Sequence, residues 1–144
     1  MPGPLPVETI ERLRVSEQNV GIVRGLYDML NVGGAEAVRG LLDPDVVFKE
    51  PPEQPGATAF HGMDAAIEGF GKWSENSETH RIEPERVIDL GDRVLSLEHH
   101  RLRGRDGMEV EADSATIWTL RRGEVIRVEA WWDQGTALKV AELE

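Results

Sequence analysis

Two ionisable side chains in this 144-residue chain stand where acid–base chemistry is expected. Glu50 ends the run Val46-Val47-Phe48-Lys49-Glu50, just before Pro51-Pro52. Alternation along a strand puts Val46, Phe48 and Glu50 on one face, so an inward Phe48 carries Glu50 inward as well. A carboxylate at the mouth of an apolar cavity is disfavoured as an anion and acts as a general base. The alternative is a strand-end glutamate that reaches solvent or caps a loop amide. His99 is the second candidate, as an acid, a base or a donor to an oxyanion; its alternative is a satisfied, half-buried histidine.

Around these stand residues suited to bind a flat apolar ligand: Phe48, Trp73, Trp118 and Trp132 as aromatic walls, with Leu97 beside them. Ser114, Thr116 and Tyr27 offer hydroxyls. Aromatic residues are as commonly plain core, and neither Ser114 nor Thr116 has an activating base in sequence that would make it a nucleophile. The four histidines (61, 80, 99 and 100) lack metal-ligand spacing, and there is no cysteine. Neither a metal nor another cofactor is expected.

The elements that must position these groups are legible from pattern. Ser16 is a suitable N-cap for a helix to about Val32 with Val20, Val23, Tyr27 and Leu30 on one face. Val7 to Val15 reads as a helical turn within an N-terminal extension, residues 1–15, that is otherwise flexible. A short helix, Ala35 to Leu42, precedes the turn Asp43-Pro44-Asp45 and the strand Val46 to Glu50. A proline-rich loop to Phe60 follows, then a helix from Met63 to Ser77. Strands come next: Arg81 to Leu90, Val94 to Arg103, and the hairpin of Met108 to Asp133, with a final helix Gln134 to Leu143. Residues 16–144 thus read as one α+β domain, a curved antiparallel sheet with helices on its concave face.

Register assigns the faces. A three-residue loop Arg121-Arg122-Gly123 places Ser114, Thr116, Trp118, Val128, Ala130 and Trp132 together. Pairing Arg103 with Met108 adds Leu95, Leu97 and His99 to that face. It sends Glu98 and His100 to the reverse face, with Glu111, Asp113 and Arg127. Trp131 and Asp133 also fall there, where a dimer contact is expected.

The segments SEQNVGIVRGLYDMLNVGG, LLDPDVVFKEPP, FHGMDAAIEGF and IWTLRRGEVIRVEAWWD resemble the SnoaL-like branch of the nuclear transport factor 2-like superfamily, over roughly Ser16 to Leu143. That superfamily includes ketosteroid isomerases, polyketide cyclases, limonene epoxide hydrolases, dehydratases and non-catalytic modules. The resemblance implies a cone-shaped fold with one pocket for a small apolar molecule, and a homodimer. In the isomerases the base is an Asp followed by Pro at the position of Glu50-Pro51. Their oxyanion-hole Tyr and Asp are matched by Leu26 and Thr116. The Arg and two Asp of the epoxide hydrolases are matched by Leu97, His99 and Ala130. The function this implies is an isomerase- or cyclase-like enzyme with Glu50 as base, or a binding or dimerisation module of the same fold.

The net charge of −11 opposes a nucleic-acid partner, which needs basic surface. No apolar run approaches the ~18 residues of a membrane span. The opening MPGPLP has no basic segment followed by an apolar one, so a cytoplasmic location is expected.

Overall fold

The computed structural model describes residues 3–143. Helix α1 spans Val7–Gly33, beginning nine residues ahead of the expected cap at Ser16. Pro6 starts it instead: its fixed φ suits a helix entrance, and its carbonyl accepts the amides of Thr9 and Ile10. The segment expected as a turn inside a flexible extension is therefore continuous helix from Val7; Met1 and Pro2 lie outside the described residues. The buried stripe, Asn19, Val23, Leu26 and Tyr27, occupies only the C-terminal half. Gly34 at φ 73° ends the helix, its amide bonded to the Leu30 carbonyl.

A 3₁₀ segment, Ala35–Leu41, leads into strand β1, Leu42–Lys49. The expected turn at Asp43-Pro44-Asp45 is an irregularity within β1, where pairing to its neighbour jumps between Leu42 and Val47. Strand β2, Ala59–His61, lies in what reads as loop, and its three residues pair antiparallel with β1. Helix α2 covers Met63–Gly71, and a 3₁₀ turn Lys72–Ser74 carries the chain onward. Strands β3 (Ser77–Asp89), β4 (Arg93–Gly104), β5 (Glu109–Arg121) and β6 (Glu124–Trp131) form a meander closed by helix α3, Gln134–Leu143.

The sheet runs β2-β1-β6-β5-β4-β3 and is open. Pairing is antiparallel except between β1 and β6, which run parallel, so the sheet is mixed rather than wholly antiparallel. The fold is α+β, as the element order predicts.

Both sheet faces are covered, and this decides the site. One face packs against α1 and α2 around Val23, Leu26, Tyr27, Phe48, Ile67 and Trp118. The other packs against α3 around Leu95, Leu97, Ala115, Ile117, Trp131 and Ala137. Trp131, expected at a dimer contact, is 7% exposed beneath α3. Asp133 caps α3, accepting the Thr136 amide at 3.1 Å and hydroxyl at 2.6 Å. Among the described residues, no helix is long and apolar enough to cross a membrane.

Candidate functional site

The β5–β6 turn is one residue shorter than expected: Arg122 and Gly123 alone form it, both with positive φ (54° and 80°), as a two-residue hairpin of this hand requires. Arg121 pairs with Glu124, and a bulge between Thr119 and Leu120 adds a residue back. The two offsets cancel in parity. Trp118 pairs with Val128 and Thr116 with Ala130, so the expected face survives. The β4–β5 turn is one residue longer than expected, and nothing compensates. Arg103 pairs with Glu109, with Gly107 at φ 85° and the Met108 amide bonded to Asp106 Oδ1.

A one-residue slip turns every side chain of a strand over. Glu98 and His100 therefore face inward, while Leu97 and His99, assigned to the pocket from sequence, do not. Leu97 is core beneath α3. His99 lies on the outer face, its Nδ1 2.7 Å from Asp113 and its Nε2 3.2 Å from Glu111. Those acids favour the imidazolium and raise its pKa. Glu85, His99 and Asp113 each offer one ligand atom within a 4.8 Å cluster, but they form an exposed ion-pair group apart from the cavity.

The cavity, about 150 Å³, lies between the sheet, including His80 and Ile82 of β3, and the end of α1 with the 34–35 and 70–74 segments. Its apolar wall includes Leu30, Phe48, Phe70, Trp73, Trp118 and Val128; its polar end holds Glu98, His100, Ser114 and Thr116. Asn31 fixes the α1 side against β3, giving and accepting 2.8 Å hydrogen bonds with the Ile82 backbone.

Glu98 organises the polar end. It is 4% exposed. Its Oε1 accepts the Ser114 and Thr116 hydroxyls, both at 2.8 Å, and its Oε2 accepts the Tyr27 hydroxyl at 2.5 Å. Trp118 Nε1 donates to the Tyr27 oxygen at 3.2 Å. Burial raises the Glu98 pKa against the opposing pull of these three donors. Burial, then the Glu98 charge, pushes the Tyr27 phenol well above its ordinary value, so Tyr27 stays a donor. A carboxylate has about four acceptor positions, and the three donors leave room on Oε2.

The histidines continue this network. His100 Nε2 lies 2.6 Å from Ser114 Oγ, and its Nδ1 lies 2.8 Å from His80 Nε2; Ser74 Oγ is 2.7 Å from His80 Nδ1. Burial first, then His80 and His99, lower the His100 pKa to about 4, and burial lowers that of His80. Both rings are neutral near pH 7. Trp73 stacks on His100, centroids 5.4 Å apart.

Of the residues expected at the site, Phe48, Trp73, Ser114, Thr116 and Trp118 line this cavity, and Tyr27 stands behind Glu98. Glu50 and Trp132 do not. They belong with Gln54, Lys72, Trp73 and Asp113 to a wider, more open depression of about 560 Å³. Trp132 is 40% exposed there. Glu50 is buried, but its carboxylate accepts Gln54 Nε2 at 2.8 Å and the Thr58 amide at 3.2 Å. That is the loop-capping alternative, and it ties down the proline-rich 51–58 segment. Glu50 and His99 are not brought together; Glu98 and His100 are.

The pattern of the SnoaL-like domain family matches residues 23–128. The chain belongs to this family. Its fold is that of the SnoaL-like branch of the nuclear transport factor 2-like superfamily. No curated protein matches the chain. Among solved structures it is similar to Bal32a from a soil-derived mobile gene cassette, at 22% identity and a TM-score of 0.72, over 85% of this chain and 95% of that one. It is similar to TerC, co-crystallised with polyporic acid, at 20% identity and a TM-score of 0.69, over 87% and 98%. It is also similar to the epoxide hydrolase/cyclase-like enzyme SalBIII of pyran ring formation in the polyether salinomycin, at 17% identity and a TM-score of 0.68, over 83% and 94%. The SnoaL-like fold accounts for one wall from the β4–β6 meander and another from α1 and α2. The titratable groups at its polar end come from two neighbouring strands, His80 from β3 and Glu98 and His100 from β4.

Proposed function

We propose that the protein is a small-molecule enzyme of the isomerase or cyclase kind, with Glu98 as its general base and acid. The observation that carries this is a buried carboxylate, raised in pKa by burial, in the lining of a mostly apolar cavity. Such pairings of burial and altered acidity mark functional sites. The substrate class is a flat, largely apolar carbonyl compound, held between Trp118, Phe48 and Trp73.

Glu98 Oε2 takes a proton from the carbon α to the carbonyl. The C–H bond breaks, its electron pair enters the enolate, and the proton ends on the carboxyl. Returning that proton to another carbon isomerises the compound. Attack of the enolate on a second carbonyl of the same molecule closes a ring, and Glu98 then protonates the new alkoxide. No step requires a metal or another cofactor.

A second reading, a binding module without turnover, is favoured by the three donors already seated on Glu98. A thermal-shift screen of apolar carbonyl compounds finds ligands under either reading, because a ligand that binds only the folded state stabilises it, and turnover of the hits separates the two. Polyporic acid is a suitable first probe. Under the enzyme reading, Glu98→Gln keeps affinity for a hit and lowers its turnover about 100-fold or more. Hits that bind equally to both proteins and are never converted support the binding module. We also propose a homodimer, on family likeness, which size-exclusion chromatography with light scattering tests.

A further inference from the structure

The hydrogen bonds at the polar end form one unbranched path from the rim of the cavity to Glu98. Ser74, on the 3₁₀ turn, is exposed; His80 is partly buried; His100 and Ser114 are buried. The steps measure 2.7, 2.8, 2.6 and 2.8 Å. Each imidazole uses both ring nitrogens, one toward the rim and one toward Glu98.

A neutral imidazole has one donor and one acceptor nitrogen. With Glu98 ionised, the directions are therefore fixed. Ser114 gives its hydroxyl proton to Oε1, so His100 Nε2–H must donate to Ser114 Oγ. His100 Nδ1 is then an acceptor, His80 Nε2–H donates to it, and His80 Nδ1 accepts the Ser74 hydroxyl. Both rings carry their proton on Nε2.

We propose that Ser74, His80, His100 and Ser114 form a proton relay that connects Glu98 to solvent and reverses direction each time Glu98 changes protonation state. A proton arriving at His80 Nδ1 releases the Nε2 proton to His100 Nδ1. His100 releases its Nε2 proton to Ser114 Oγ, and Ser114 passes its own to Glu98. One proton enters, one reaches Glu98, and both rings finish protonated on Nδ1. Running backward, the same path empties a protonated Glu98 to the rim. The charged and titratable groups that act on His100 are His80, His99 and Asp113, with Glu98 reached through Ser114. This inference rests on Glu98 as the acid–base group of the proposed function. It makes His80 and His100 positioning and relay residues rather than catalytic ones.

The tautomers can be read without a substrate. Long-range ¹H–¹⁵N spectra of the ¹⁵N-histidine protein are recorded through the Glu98 titration, above the pH at which His100 itself protonates. The expected result is that His80 and His100 exchange from Nε2–H to Nδ1–H together, at the Glu98 midpoint. Tyr27→Phe, which removes a donor from the ionised carboxylate and does not touch either ring, moves that common midpoint upward. Glu98→Gln abolishes the exchange. Tautomers that do not change as Glu98 protonates, that change independently of each other, or that still switch in Glu98→Gln overturn the relay. A switching relay in a protein without turnover leaves the relay standing and the enzyme reading refuted.

Discussion

Tyr27 and Glu98, 71 positions apart in the chain, meet through a 2.5 Å hydrogen bond that joins α1 to β4 at the polar end of the cavity. Trp118 Nε1 donates to the same phenolic oxygen, and its ring meets Tyr27 edge-on with centroids 5.8 Å apart. The phenol is therefore held as acceptor from β5 and donor to β4. This fixes Oε2 while leaving one of its sides available to a ligand.

Removing that hydroxyl has two effects of known sign. Tyr27→Phe leaves Trp118 Nε1 without its buried acceptor and Glu98 with one donor fewer. Denaturant unfolding should show a loss of about 1–3 kcal/mol. The Glu98 pKa should rise further, because the lost bond favoured the anion.

His100 makes the protein acid-sensitive. Its folded pKa of about 4 lies below the ordinary 6.5, so between those values the unfolded chain binds more protons than the folded one. The His100 contribution then rises with pH across that window and falls as pH drops through it, opposed in part by Glu98, whose raised pKa makes the folded chain the stronger proton binder there. The His100 share of the loss is about 3 kcal/mol on going from 6.5 to 4. Chemical denaturation at a series of pH values checks this. His100→Gln should flatten the slope in the window.

Gly69 is closely packed at the back of the site. A Cβ built there comes within 2.8 Å of both Phe48 and Phe60, and Phe48 lines the cavity. Gly69→Ala should cost about 1–3 kcal/mol through overpacking, despite alanine's better helix propensity. Binding of any cavity ligand should weaken as Phe48 shifts. Thermal unfolding and titration with a screening hit measure the two effects.

Glu50 and Glu98 should behave differently under the same substitution. Glu50→Gln loosens the 51–58 loop by weakening its bonds to Gln54 and the Thr58 amide, for about 1 kcal/mol. It should leave ligand affinity and turnover in the Glu98 cavity within twofold, whereas Glu98→Gln lowers turnover about 100-fold or more. Parallel assays of the two variants are sufficient.

Most of the architecture is legible from pattern. The order of elements, the β5–β6 hairpin face and the final helix at Gln134 follow from periodicity and turn residues. The site is less so, because β4 carries residues suited to either face. Leu95 and Leu97 look like the cavity side, and with one covered face that choice would be correct. Here α3 covers the second face and takes both leucines, leaving the strip Ser96, Glu98 and His100 for the cavity side. The available signal was α3 itself, whose Ala137, Leu138 and Ala141 need an apolar partner. Short strand β2 was hidden by the prolines and glycine before it, and the start of α1 by the lack of a polar side chain at its cap position, which Pro6 holds.

The central claim is that burial prevails over hydrogen bonding at Glu98, so that its carboxyl holds a proton to higher pH than an ordinary glutamate does. The direct test is a carbon-detected NMR titration of the glutamate side-chain carboxyls, with Glu98 assigned by its absence in Glu98→Gln. The account predicts a Glu98 midpoint clearly above the ordinary 4.5. A midpoint at or below 4.5 would contradict it, marking Glu98 as a carboxylate held ionised by Tyr27, Ser114 and Thr116 for structure alone.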